Sequence, residues 1–106
     1  MTDFQELLEK AARLPAFVGF ETREQRKHRL EAKELLDFLN NLAKQGRFRV
    51  LIDEVTGNFI FRIDKRQRLI VTWLIVMDQK WIVIKKEVEN LLQHDNSEEA
   101  GGIGDS

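Results

Sequence analysis

The chain has 106 residues, 42% of them hydrophobic and 33% charged, a composition that suits one globular domain with a single modest core. It contains no cysteine, which excludes disulfides, zinc-thiolate sites and cysteine nucleophiles. The net charge of −1 is unevenly spread, because residues 95–106 hold Asp95, Glu98, Glu99 and Asp105 with no base and leave the remainder at +3.

Thr2 and Gln5 have the spacing of a capping box, and Phe4, Leu7, Leu8, Ala11 and Ala12 recur at helical intervals. A first helix over 2–14 is predicted, ended by Pro15. Its start lacks the basic and apolar regions of a secretory signal, so a cytoplasmic protein is expected. The link that follows contains Phe17, Val18 and Phe20, apolar enough to pack down as a plug. Thr22 with Gln25 repeats the capping-box spacing and opens a second helix running to about Gln45, with Gly46 as its C-terminal cap. The apolar stripe of that helix (Leu30, Leu35, Leu36, Phe38, Leu39, Leu42, Ala43) belongs to its C-terminal two-thirds.

From 47 to 86, apolar runs are broken by turn chemistry at near-regular intervals: Val55 through Asn58, Asp64 through Gln67, then Asp78 and Gln79. The runs alternate with the two-residue period of half-buried strands, which predicts a four-stranded antiparallel meander. In its first two strands Phe48, Val50, Ile52, Phe59, Phe61 and Ile63 share a core face, while Arg47, Arg49, Leu51, Ile60 and Arg62 point the other way. The third and fourth strands, around 69–76 and 81–84, are apolar on both faces and expect cover on both. The run 69–77 is about half the length of a membrane helix, so no membrane contact is expected. A short final helix over 87–93 carries Val88, Leu91 and Leu92. The acidic, glycine-rich tail after it should be disordered. The expected class is therefore α+β, with two N-terminal helices on the meander, a single domain over 1–94 and a tail over 95–106.

Two basic groups stand out. At the start of helix two, Arg23, Arg26, Lys27 and Arg29 oppose the helix dipole, at a cost of roughly 0.3–1 kcal/mol each, and are candidates for polyanion contact. The bland alternative is a solvated face paired with Glu24, Glu31 and Glu34. In the meander, Arg47, Arg49 and Arg62 lie on the mixed face, with Lys65, Arg66 and Arg68 in the turn beyond. The aromatic residues share the register of the core, so they are not a stacking platform for bases.

Sites for chemistry are sparse. Glu24, His28 and Glu31 are close enough on a helix to hold a cation, a pattern that also arises by chance. Asp53, Glu54 and Asp64 with Arg66 fall in turns, where no metal-dependent nuclease hairpin would place them. His94 borders the tail, Ser97 and Ser106 lie within it, and the Gly101, Gly102, Gly104 cluster has no helix after it to cradle phosphate. No catalytic, cofactor or metal site is assigned.

Paired helices followed by Gly57-Asn58-Phe59-Ile60-Phe61-Arg62-Ile63-Asp64 resemble the core of the RelE/ParE-like bacterial toxins, over about 47–77. That resemblance implies two further strands and a short helix after the matching strand, and a ribonuclease activity. The chain departs from the family pattern in having no tyrosine, no strand ahead of the helices and no basic and acidic catalytic set at its C-terminal end.

The leading expectation is a small regulatory or adaptor protein that acts by protein contact and self-associates, as a homodimer, through its sheet. Leu51, Ile60, Ile70, Leu74, Val76, Ile82 and Ile84 would form the apolar patch, with Arg49 and Arg62 at its rim. A nucleic-acid-binding regulator using helix two is the alternative from another class. Ordering the tail would cost roughly 1–2 kcal/mol per residue with almost nothing to bury. A chain stopped after His94 is therefore expected to keep its thermal midpoint within a few degrees in a circular-dichroism melt, and a large loss would show that the tail docks.

Overall fold

The structure, a computed structural model, describes residues 3–13 and 21–104, the side chains of 94–104 excepted. Helix α1 (Phe4–Arg13) turns Phe4 and Leu8, one turn apart, into the core. Its first turn is satisfied by Asp3, whose Oδ1 accepts the Glu6 N–H at 2.8 Å. The expected cap, Thr2, lies outside the described residues, as does the link with Pro15, Phe17, Val18 and Phe20.

Helix α2 (Arg23–Lys44) starts as its sequence dictates. Thr22 Oγ1 accepts the Gln25 N–H and Gln25 Oε1 accepts the Thr22 N–H, each at 3.0 Å, completing the capping box. At the other end Gly46 adopts φ +73°, the left-handed backbone that glycine takes without a Cβ clash. Ala32, Leu35, Leu39 and Leu42 are buried, and Leu36 and Phe38 pack beside them. The basic first turns run beyond this seam, and Leu30 is exposed.

Strands β1 (Phe48–Ile52), β2 (Phe59–Ile63) and β3 (Gln67–Val71) form one antiparallel sheet in the order β1-β2-β3. The β1–β2 turn is closed by Asp53, whose Oδ1 accepts the Val55 N–H at 2.9 Å and whose carbonyl accepts the Gly57 N–H at 2.7 Å. The β2–β3 turn is tighter, with Asp64 and Lys65 both at positive φ and the Arg66 N–H bonded to the Ile63 carbonyl. On the inner face Phe48 pairs with Ile63, Val50 with Phe61 and Ile52 with Phe59, and on the other side of β2 Phe61 pairs with Leu69 and Phe59 with Val71. That is the core face expected for the first two strands.

The fourth strand does not form. Thr72 accepts the Ile75 N–H through Oγ1 and starts a short helix, α3 (Trp73–Met77), where the third strand was expected to continue. The Trp73 ring settles against Phe59, at 5.3 Å between centroids, and over Gly57, where an added Cβ would lie 3.1 Å from its Nε1. After Gln79, at φ +54°, helix α4 (Trp81–Gly104) takes the place of the expected strand four and short helix. Its buried residues Trp81, Ile84 and Val88 recur at helical intervals. A short uniformly apolar run fits both periods, and only its partners decide between them. The α4 backbone remains helical into the segment expected to be a disordered tail, since extending an existing helix carries no nucleation cost.

The expected apolar patch changes accordingly. Val76 and Ile84 are core residues, Ile82 is half-buried on α4, and Leu74 is exposed on α3 instead of lying on a strand. The two further strands implied by the RelE/ParE-like resemblance are also reduced to one, β3.

Helices α1, α2 and α4 share one core with the inner face. At its centre the Phe4 ring makes edge contacts with Phe59 at 5.2 Å, Phe61 at 4.9 Å and Trp81 at 6.4 Å. Phe4→Ala is expected to cost about 3–5 kcal/mol in urea denaturation. A loss below about 1 kcal/mol, the scale of an ordinary surface change, would show that α1 is not integral to the core.

Candidate functional site

A strand face of period two forces whatever is not core to the opposite side. On the outer face of the sheet this produces two transverse rows. Arg49 pairs across the strands with Arg62, and Arg62 with Arg68. One step further along, Leu51 pairs with Ile60 and Ile60 with Ile70. The rows stand about 6.7 Å apart, and neighbouring members of a row about 4.8 Å apart at the backbone. Arg49, Leu51, Arg68 and Ile70 on the edge strands are exposed, and Ile60 and Arg62 on the central strand are half-buried.

The arginine row lies at the end of the sheet that carries the tight β2–β3 turn. Lys44, Arg47, Lys65 and Arg66 join it there, and the nearest acid in the sequence is Asp64. Arg47 grips Asp64 in a two-pronged pair, Nε to Oδ1 at 2.6 Å and Nη2 to Oδ2 at 2.9 Å. This pair braces the turn against the start of β1, and its main-chain counterpart is the Asp64 N–H bonded to the Arg47 carbonyl at 2.9 Å. Among the described residues no carboxylate pairs with Arg49, Arg62, Arg68, Lys65 or Arg66. Three arginines standing directly opposite one another without counter-charges repel.

The basic start of α2 is a different arrangement. Arg29 is held by Glu21, with Nε to Oε2 at 2.6 Å and Nη2 to Oε1 at 3.2 Å, and this pair holds the Glu21 carboxyl below its ordinary pKa. Arg23, Arg26 and Lys27 are exposed, with Glu24 among them. By helical rise, Arg26 lies roughly 27 Å along α2 from Lys44, so the two basic groups stand at opposite ends of the helix. The structure does not bring them together.

The remaining candidates lose ground. His28 Nδ1 lies 4.0 Å from Glu31 Oε1 and has no hydrogen bond, and among the described residues no three acids, histidines or cysteines cluster as metal ligands. Asp53 is occupied in its own turn, where N–H groups of Val55 and Thr56 and the Thr56 side chain hold its carboxyl below the usual range. Among the described residues no helix is long and apolar enough to cross a membrane.

Sequence reading found Arg49, Leu51, Ile60 and Arg62 on one face, but put Arg68 in a turn. A three-residue turn, Asp64 to Arg66, carries β2 into β3 and sets Arg68 opposite Arg62. The signal was the alternation of Arg66, Arg68 and Ile70 with Gln67, Leu69 and Val71, in phase with β2.

No known protein family, curated protein or solved structure matches the chain. The likeness of 57–64 to the RelE/ParE-like toxins therefore rests on hairpin texture alone.

Arg47 holds the Asp64 carboxyl below the ordinary carboxylate range, chiefly through the hydrogen bonds and against a smaller opposing effect of burial. A depressed carboxyl contributes stability that is complete above the unfolded pKa and is lost as pH falls through the folded value. Asp64→Asn, which tolerates the left-handed backbone, is expected to cost about 1 kcal/mol at neutral pH. Urea melts should show that difference beginning to narrow as pH falls below about 4, the unfolded carboxylate value. A constant difference across pH would detach the effect from the Arg47 pair.

Proposed function

We propose that the protein is a regulatory binding module whose outer sheet face engages a polyanion, with a nucleic-acid backbone as the favoured occupant. The observation that carries this reading is the cross-strand row of Arg49, Arg62 and Arg68 without counter-charges. Selection for stability alone would alternate signs along such a row. A row of phosphates supplies the missing anions, and guanidinium forks match phosphate oxygens better than any other side chain. The outward-pointing residues of the three strands include no aromatic, so contact is with the backbone and largely independent of sequence. At the start of α2 Glu21 pairs with Arg29 and Glu24 lies among the bases, so part of that charge is already compensated.

The test is fluorescence anisotropy with labelled DNA and RNA at about 50 mM salt. The triple variant Arg49→Ala, Arg62→Ala, Arg68→Ala should fold, since it removes repulsion from an open surface. It is expected to lose about a hundredfold or more in affinity and to flatten the log–log salt dependence by about 2–3 units. Absence of binding by the full chain at that salt would retire the reading.

A second reading, protein contact or self-association through the same face, is favoured by the row of Leu51, Ile60 and Ile70, and Leu74 and Met77, 71% and 74% exposed on α3, are further uncovered apolar surface. Its weakness is size. Three five-residue strands present roughly 250 Å² of sheet, against about 800 Å² per partner in a standard interface. A homodimer would also set unpaired arginines of two copies close together. Light scattering at micromolar concentration decides between the readings, because a strict monomer that binds no hydrophobic dye removes the second.

A further inference from the structure

The sheet is not flat at its arginine end. An open depression of about 440 Å³ is lined there by Gly46, Arg47, Phe48, Arg49, Arg62 and Lys65. That volume falls within the range of small-ligand sites, about 300–1,000 Å³. Four of the six lining residues are cationic. Arg47 is anchored in the wall by Asp64, whose two oxygens are both engaged by its guanidinium. Arg49, Arg62 and Lys65 have no carboxylate partner among the described residues, so the site is strongly positive and contains no acid among its lining residues.

Lys65 adds a second, independent observation. It sits at φ +67° in the three-residue turn between β2 and β3, a left-handed backbone that glycine adopts freely and that costs a lysine free energy. The residue that tolerates this cost is one that contributes a cation to the depression.

Single phosphodiesters along a strand carry one charge each and are matched by a flat row of arginines. A concave seat with three uncompensated cations is better matched by a compact dianion offering three oxygens, which is the chemistry of a phosphomonoester near neutral pH. Building on the polyanion reading, we infer that this depression seats the terminal phosphate of a nucleic-acid strand, while Arg68 meets the diesters that follow. The protein then reads strand ends by charge and shape, without reading bases.

The experiment uses the full chain and labelled single strands of about twelve nucleotides, a length on the scale of single-strand binding sites, with a phosphate at the 5′ end, at the 3′ end or at neither. At least one end-phosphorylated strand should bind about tenfold more tightly than the strand with free hydroxyls. Lys65→Gly and Arg49→Ala should abolish that preference, whereas Arg68→Ala should weaken all three strands alike. Lys65→Gly relaxes the turn, so a loss of preference in that variant is not a loss of folding. Equal affinity for the three strands overturns the phosphate seat and leaves the polyanion face standing. No binding to any strand overturns both. In an amide NMR titration, inorganic phosphate and a nucleoside 5′-monophosphate should both shift signals of 46–49 and 62–65, and no shift there overturns the seat. A phosphoserine peptide that binds more tightly than the end-phosphorylated strands overturns the nucleic-acid occupant.

Discussion

The ring of Phe4 is the point on which the two halves of the core depend. It enters from α1, meets Phe59 and Phe61 edge-on from the sheet, and reaches the Trp81 indole at the start of α4. Aromatic pairs in this geometry contribute about 0.5–1.5 kcal/mol each beyond the area they bury. Phe59 and Phe61 alternate on β2 and so cannot both face Phe4 unless Ile60 and Arg62 face away. A ring near the N-terminus thus helps decide which side of the sheet is left outward, and a one-residue slip of β2 would exchange the two faces entirely.

The outer face follows from that constraint together with two turns. The tight turn at Asp64 and Lys65 leaves no slack between β2 and β3, so the register that pairs Phe61 with Leu69 also pairs Arg62 with Arg68. At the same end, Arg47 clamps Asp64 and ties the turn to the beginning of β1. The repulsion in the arginine row is carried by a sheet whose other side is well packed. Stability and charge are separated here by the thickness of one strand layer, so the outward residues can change without disturbing the core.

The expectations for the second half of the meander failed for one reason. The runs 69–77 and 81–84 are nearly all apolar, and such runs have no clear period. Their conformation is therefore set by neighbours: Thr72 offers a side-chain oxygen to the Ile75 N–H, Gly57 leaves room for the Trp73 indole, and Gln79 takes a left-handed backbone before α4. Of these the Thr72 cap is local, but Thr72 lies inside an apolar run where it is equally at home in a strand, and the Trp73–Gly57 contact joins segments far apart in sequence. The patch expected from a two-faced strand accordingly dissolved, with Val76 and Ile84 drawn inward and Leu74 turned out.

The sequence by itself determined the α+β class, the capping box of Thr22 and Gln25, the glycine end of α2, the first hairpin and the sorting of its residues onto two faces. The caps and the turn are effects of range four or less, and the sorting of the hairpin follows from a strict two-residue alternation along each strand. The packing of distant segments was needed to settle that the strands number three, that Trp81 opens a helix and that a depression opens beside Gly46 and Lys65. Each of these depends on segments distant in sequence meeting across the sheet or the core, where packing and register select among local conformations that the chain permits almost equally.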